Sequence, residues 1–174
     1  LLGAKTVLLY KLPATHKDEA ITAMLKTLKT VDFDVLVYPY AKSSTSSSTA
    51  QQTIATWVKS MQDDEGKNVT AVLPNYEADS EYTINSVQGV TLSDGSTLTV
   101  YEAAAWVGGI TAGASVTKSN TAQKFIGAID VTPRMTRSEQ EAAIKAGKFL
   151  LDVGSQPERH SGGGRELLDN YHAE

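Results

Sequence analysis

The first 73 residues alternate between two kinds of periodicity, and that alternation restricts the chain more than any other feature. Thr6 to Leu12 (TVLLYKL) is a short, β-rich apolar run closed by Pro13, and it reads as a buried strand. In the following stretch, EAITAMLKTLKT, Ile21, Met24, Leu25 and Leu28 fall on one face of a helix. Phe33 to Tyr38 (FDVLVY) is a second strand. Thr49 to about Asp63 again carries apolar residues (Ile54, Trp57, Val58 and Met61) at helical spacing. Asn68 to Leu73 (NVTAVL), ended by Pro74, is the third strand. Parallel neighbours need a long crossover, usually a helix, so the order β-α-β-α-β predicts a largely parallel sheet flanked by helices. Right-handed crossovers are the default. The expected fold class is α/β.

The middle of the chain has a different character. Tyr82 to Leu92 and Thr97 to Val100 flank Ser93-Asp94-Gly95-Ser96, a turn suited to a β-hairpin. EAAAWVGGITAGA then reads as a tightly packed helix of small residues around Trp106, and Lys124 to Asp130 as another strand. Thr136-Arg137-Ser138-Glu139 has capping-box chemistry, in which hydroxyl and carboxylate each satisfy the other residue's backbone amide. Gly147 is placed to stop that helix. Phe149 to Val153 closes the list of strands. Two stretches are polar and linker-like: AKSSTSSSTA after Tyr40 and GSQPERHSGGG after Val153, the second leading into a short amphipathic helix, RELLDNYHAE.

Several function classes lose their footing on the residues available. There is no cysteine, which removes thiol catalysis and cysteine-based metal sites. The net charge of -4, from 16 basic and 20 acidic side chains without long like-charge runs, argues against a nucleic-acid partner. No apolar stretch approaches the roughly 20 residues that span a bilayer, so membrane insertion is not expected. The opening LLGAKTVLLYK lacks methionine, a basic start and a cleavage site, and reads as a trimmed start of a soluble chain.

Nucleophilic catalysis on an α/β-hydrolase scaffold requires Gly-x-Ser-x-Gly. The nearest string, Gly113-Ala114-Ser115-Val116-Thr117, lacks the second glycine, and His16, His160 and His172 are in no motif-like context. Gly108-Gly109-Ile110-Thr111-Ala112-Gly113 is glycine-rich, but no Gly-Lys-Ser/Thr follows it as a P-loop demands; Lys118-Ser119 comes too late. Small residues at that density suit a helix lying close against a sheet. The acidic clusters Asp63-Asp64-Glu65 and Glu77, Asp79, Glu81 lack calcium-loop spacing. They read as solvated ends and turns, and Lys67, Arg134 and Arg137 as surface charge. Trp57 and Trp106 sit on apolar helical faces and are expected in the core. No catalytic, cofactor-binding or metal-binding residue is assigned, and no cofactor. An α/β hydrolase or nucleotide-binding enzyme stays open as an alternative, as does a small surface binding module.

From Tyr82 to Phe149 the elements occur in an order that resembles the core of the phage tail sheath family of contractile-tailed phages, prophages and phage-tail-like bacteriocins. The family pattern is a hairpin with a Leu-x-Asp-Gly turn, then Ala-Ala-x-Val-Ala-Gly-x-x-Ala-Gly. A Gly-Ala-x-Asp-Val strand and a Thr-x-x-Glu helix ending in Ala-Gly-Lys follow. In this sequence they are Leu92-Ser93-Asp94-Gly95, Ala104 to Gly113, Gly127-Ala128-Ile129-Asp130-Val131, and Thr136 to Lys148, with Gly108 standing where the family has alanine.

The resemblance implies a subtilisin-like layered α/β scaffold without protease chemistry. It also implies a structural subunit of a contractile sheath that polymerises in helically stacked hexameric rings and contracts without nucleotide. The partners it implies are other sheath subunits, the tail tube and the baseplate, with assembly in the host cytoplasm and residence in the virion tail. Residues 1–154 are then the sheath core, lacking near residues 12–14 the inserted domain that many members carry, and 155–174 are a linker and part of a C-terminal region. The polar segment after Val153 makes a poor donor strand, so the chain alone is expected to remain a monomer or weak oligomer.

Overall fold

The computed structural model describes residues 4–13, 18–40, 47–77, 80–114 and 123–152. Its elements in chain order are α1 (Asp18–Leu28), β1 (Val35–Val37), α2 (Ser47–Asp63), β2 (Thr70–Val72), β3 (Thr83–Ser86) and β4 (Gly89–Leu92). β5 (Thr97–Leu98), α3 (Val100–Ala112), β6 (Ala128–Thr132), α4 (Arg137–Lys145) and β7 (Lys148–Phe149) follow. A parallel sheet has the order β1-β2-β3-β7, and a smaller antiparallel one the order β5-β4-β6. The α/β class with a largely parallel sheet, flanking helices and a hairpin is what the sequence predicts.

The parallel sheet is packed on both faces, and β1, Val35-Leu36-Val37, is accordingly apolar without alternation. Ile21, Met24 and Leu25 of α1 and Ala50, Ile54 and Val58 of α2 pack with Tyr38, Ala71 and Leu73 on one side. Trp106, Val107 and Ile110 of α3 pack with Val35, Val37, Val72 and Ile84 on the other. Successive side chains of a strand point to opposite faces, so β1 serves both layers, with Leu36 toward α1 and α2 and Val35 and Val37 toward α3. Trp57 is part-buried and stacks on Phe33, with ring centroids 6.3 Å apart and planes 8° apart.

Several sequence expectations change: the strand read at Lys124 to Asp130 is β6, Ala128–Thr132, and Val100, read as strand, begins α3. Thr6 to Leu12 is not a buried strand: it carries no strand pairing, and only Leu12 enters the core. The run Tyr82 to Leu92 is two strands in two sheets, broken at Val87 and Gln88. Gln88 is 2% exposed, and its amide ties three segments together. Its Nε2 donates to Pro133 O and its Oε1 accepts from Leu151 N–H, each at 2.9 Å. Leaving either end of this buried amide unpaired would be costly, so its two bonds pin the crossing point. The strand read at Phe149 to Val153 is shorter and earlier, at Lys148–Phe149.

The hairpin turn is as read: Gly95 has φ +85°, and Asp94 Oδ1 accepts from the Ser96 N–H at 2.9 Å and from its hydroxyl at 2.6 Å. The capping box at Thr136 and Glu139 also forms, and Gly147, at φ +71°, ends α4 in the left-handed region that glycine tolerates.

A second capping box, Thr99 with Glu102, starts α3. The backbone N–H and then the hydroxyl of Thr99 hold the Glu102 carboxyl below its ordinary 4.5, and Thr136 does the same for Glu139. Both groups are depressed in the folded state, so their stabilisation is present above pH 4.5 and is lost as pH falls through their folded values. Melting temperature should therefore fall between pH 6 and pH 3. A Glu102→Gln/Glu139→Gln variant should show a shallower fall; an identical slope would mean the caps carry none of the acid sensitivity.

Candidate functional site

In α/β sheets a ligand crevice forms where strands end at their carboxyl side. This chain has a cleft of about 450 Å³ there, lined by Asn75, Val87, Pro133, Arg134, Met135, Glu139, Ala142, Ala143 and Lys148. Asn75 follows β2 in the left-handed region, with φ 53°, and its N–H donates to Ser86 O at 3.0 Å. Pro133 follows a cis peptide after β6, and α4 supplies the opposite wall.

The charges in the cleft are committed to neighbours. Arg134 Nε lies 2.7 Å from Asp130 Oδ1, which holds the Asp130 carboxyl below its ordinary range and pushes Arg134 up. Lys148 Nζ lies 2.7 Å from Glu77 Oε1 and lowers the Glu77 carboxyl. Glu139 is engaged by its capping threonine. No histidine, serine or threonine lines the cleft, and its ionisable side chains, Arg134, Glu139 and Lys148, each engage a neighbour.

The sequence candidates are dispersed. Lys67 pairs with Asp32 at 2.9 Å, Lys29 with Glu65 at 2.6 Å, and Arg137 with Glu141 at 3.0 Å. Asp64 accepts from the Ser60 hydroxyl. His16, His160, His172, Ser115, Lys118, Ser119 and Asp79 lie outside the described residues. Among the described residues no three His, Cys, Asp or Glu side chains gather as a metal site, and no helix is long and apolar enough to cross a membrane. The glycine-rich stretch Gly108 to Ala112 is the body of α3, where Gly108 faces Val37 with no room for a Cβ. Gly108 serves contact with the sheet.

The other class of feature is apolar surface. Ile126, Ile129 and Ile144 are 79%, 56% and 64% exposed. Ile129 lies on β6, which ends the antiparallel sheet and has no described strand on its outer side. Unpaired edges and apolar side chains together are the ordinary material of protein–protein contacts. Spacing alone did not reveal this surface, because apolar residues near a strand read as core until the sheet order is known.

Residues 14–156 match the family described as the phage tail sheath protein central domain. The phage-like element PBSX protein XkdK of Bacillus subtilis is 35% identical over 130 residues, which is 75% of this chain and 27% of that protein. A tail sheath protein of Clostridium phage phiCD119 is 27% identical over 136 residues, 78% of this chain and 36% of the phage protein. The crystal structure of a sheath tail protein from Desulfitobacterium hafniense superposes with a TM-score of 0.75 at 36% identity, covering 82% of this chain and 33% of that one. The chain thus spans about a third or less of the relatives it matches.

Proposed function

Because the chain belongs to the phage tail sheath family, matching its central domain across residues 14–156, we propose that it is the body of a subunit that polymerises in stacked rings around a tail tube and contracts without nucleotide. The family is structural, a component of the phage tail. The match over most of the chain, with its elements in family order, carries the reading. A head-to-tail interface that does not close generates a helical filament. Strand addition through arms outside this domain keeps neighbours linked while bodies rotate. Energy stored at assembly is released as interfaces improve, so the mechanism needs no nucleotide site. The partners are other sheath subunits, the tube and the baseplate. Residence is the virion tail, after assembly in the host cytoplasm.

The layered body suits this role. Two covered faces make a rigid block, and the exposed isoleucines beside the β6 edge give it an adhesive surface. Catalysis has no part in the account. Purified protein should hydrolyse peptides, esters and nucleotides no faster than a heat-killed control. Turnover that disappears on Ser115→Ala or His16→Ala would overturn the structural reading.

A further inference from the structure

Of the four described helices, α4 buries least. Ala143 is its one buried residue, where α1 buries Ile21, Met24 and Leu25 and α3 buries six residues around Trp106. The side of α4 that carries Glu139, Ala142 and Ala143 faces the cleft of about 450 Å³, so it spans space where the other helices meet packed side chains. What keeps α4 helical is internal to it. The Thr136–Glu139 capping box and the Arg137–Glu141 pair, at 3.0 Å, belong to the helix and its cap. Its one ion pair to a strand, Arg134 to Asp130 of β6, has an Arg134 side chain that is largely exposed, and such pairs stabilise weakly.

The flanks of this segment are held differently. Gln88 lies between β3 and β4 and is buried in the sheet frame. It donates to Pro133 O just before the segment and accepts from Leu151 N–H just after β7. β7 itself pairs with β3 at Lys148 and Phe149, and Gly147, with φ +71°, joins α4 to that anchored strand. One side chain thus ties down both feet, and little ties down what stands between them.

We propose that residues 134–147 are a flap that opens over the cleft as one unit, between feet that Gln88 holds to the sheet. Few buried apolar contacts and an unfilled space beneath are the properties of a low-stability opening unit. Open, the flap lays bare Val87 on the sheet side and Met135 and Ala143 on its own underside. The apolar surface at the carboxyl end of the sheet is therefore set by the position of the flap. A helix of nine residues is shorter than the roughly 12–15 that hold alone in water, so α4 unravels when it lifts and its amides exchange. The inference uses only the packing of this domain and does not rest on the sheath reading.

Amide hydrogen exchange on the full chain, with each rate corrected for its intrinsic value, tests it. In the unaltered protein the Gln140 and Ala146 amides, bonded to Thr136 O and Ala142 O, should exchange at least about 100-fold faster than those of Ala71 and Leu73, bonded to Tyr82 O and Ile84 O. The Leu151 amide, on Gln88 Oε1, should stay with the slow group. Gln88→Leu keeps an apolar side chain in place and removes both bonds, so Leu151 should then join the fast group while Ala71 and Leu73 stay slow. Gln140 and Ala146 as slow as Ala71 in the unaltered protein would overturn the flap. Leu151 as fast as α4 in the unaltered protein, or still slow in a folded Gln88→Leu variant, would overturn the held feet. Should that variant fail to fold, the rates in the unaltered protein decide the proposal by themselves.

Discussion

Trp106→Ala should lower the stability of the domain by roughly 3–5 kcal/mol, read as a shift in urea midpoint at constant slope. The indole is 7% exposed at the centre of the cluster formed by Val72, Ala104, Val107 and Ile110. It stacks on Phe125 with centroids 4.7 Å apart and planes 19° apart, a pairing worth about 0.5–1.5 kcal/mol beyond its buried area. The alanine variant loses the burial of the ring, the stacking partner and the packing around the void. It loses no hydrogen bond, because Trp106 Nε1 has none. That distinguishes two substitutions: Trp106→Phe removes an unsatisfied buried donor and leaves a smaller void, so it should cost clearly less than Trp106→Ala. A neutral Trp106→Ala would place the ring outside the core and reopen the binding-module reading.

The second large effect is expected at Gly108. A Cβ there would run into Val37 Cγ2, with Val35 Cγ1 and Val37 Cβ each at 3.7 Å. On an exposed helix, Gly→Ala stabilises by about 1 kcal/mol through backbone entropy, so the sign of the change is itself diagnostic. Gly108→Ala should destabilise, because Val37 is β-branched, stiff at χ1 and held in the sheet. Gly108→Leu should cost roughly 3 kcal/mol, at the upper end of overpacking penalties. Val37→Ala in the same chain as Gly108→Ala should restore much of the loss, giving a favourable coupling in the double-mutant cycle. A stabilising Gly108→Ala would show that α3 stands further from β1 than the fold places it. The family pattern carries alanine at this position, and the two branches of Val37 account for glycine here.

What could be read from the sequence depended on whether the signal was local. The capping box at Thr136 and the Asp94-Gly95 turn are complete within four residues, and both form as read. Thr99-Val100-Tyr101-Glu102 has the same capping pattern and forms the same box, yet Val100 reads as the end of a strand because it is β-branched. The pattern was present and competed with propensity. The break at Gln88 was not local: it depends on carbonyl and amide groups of Pro133 and Leu151, 45 and 63 residues away. Gly89 marks the same place, since a Cβ there would meet Leu98 O. Exposure of Thr6 to Lys11 was illegible for a related reason. Apolar β-branched runs report what a strand can bury against, and the partner is set by the assembled sheet. At the cleft, Arg134 reads as surface charge and the fold makes it half of an ion pair with Asp130. Ion pairing between residues distant in sequence, such as Lys148 and Glu77, leaves no mark in spacing.

The role as the body of a contractile sheath is tested most directly on tail particles themselves. Antibody raised against residues 18–149, visualised by electron microscopy on particles from producing cells, should decorate the tail shaft at a regular repeat along its whole length. The repeat should shorten in contracted tails, since rings close up as the sheath contracts. Label confined to fibre tips, to the baseplate alone, or absent from intact tails would contradict the account.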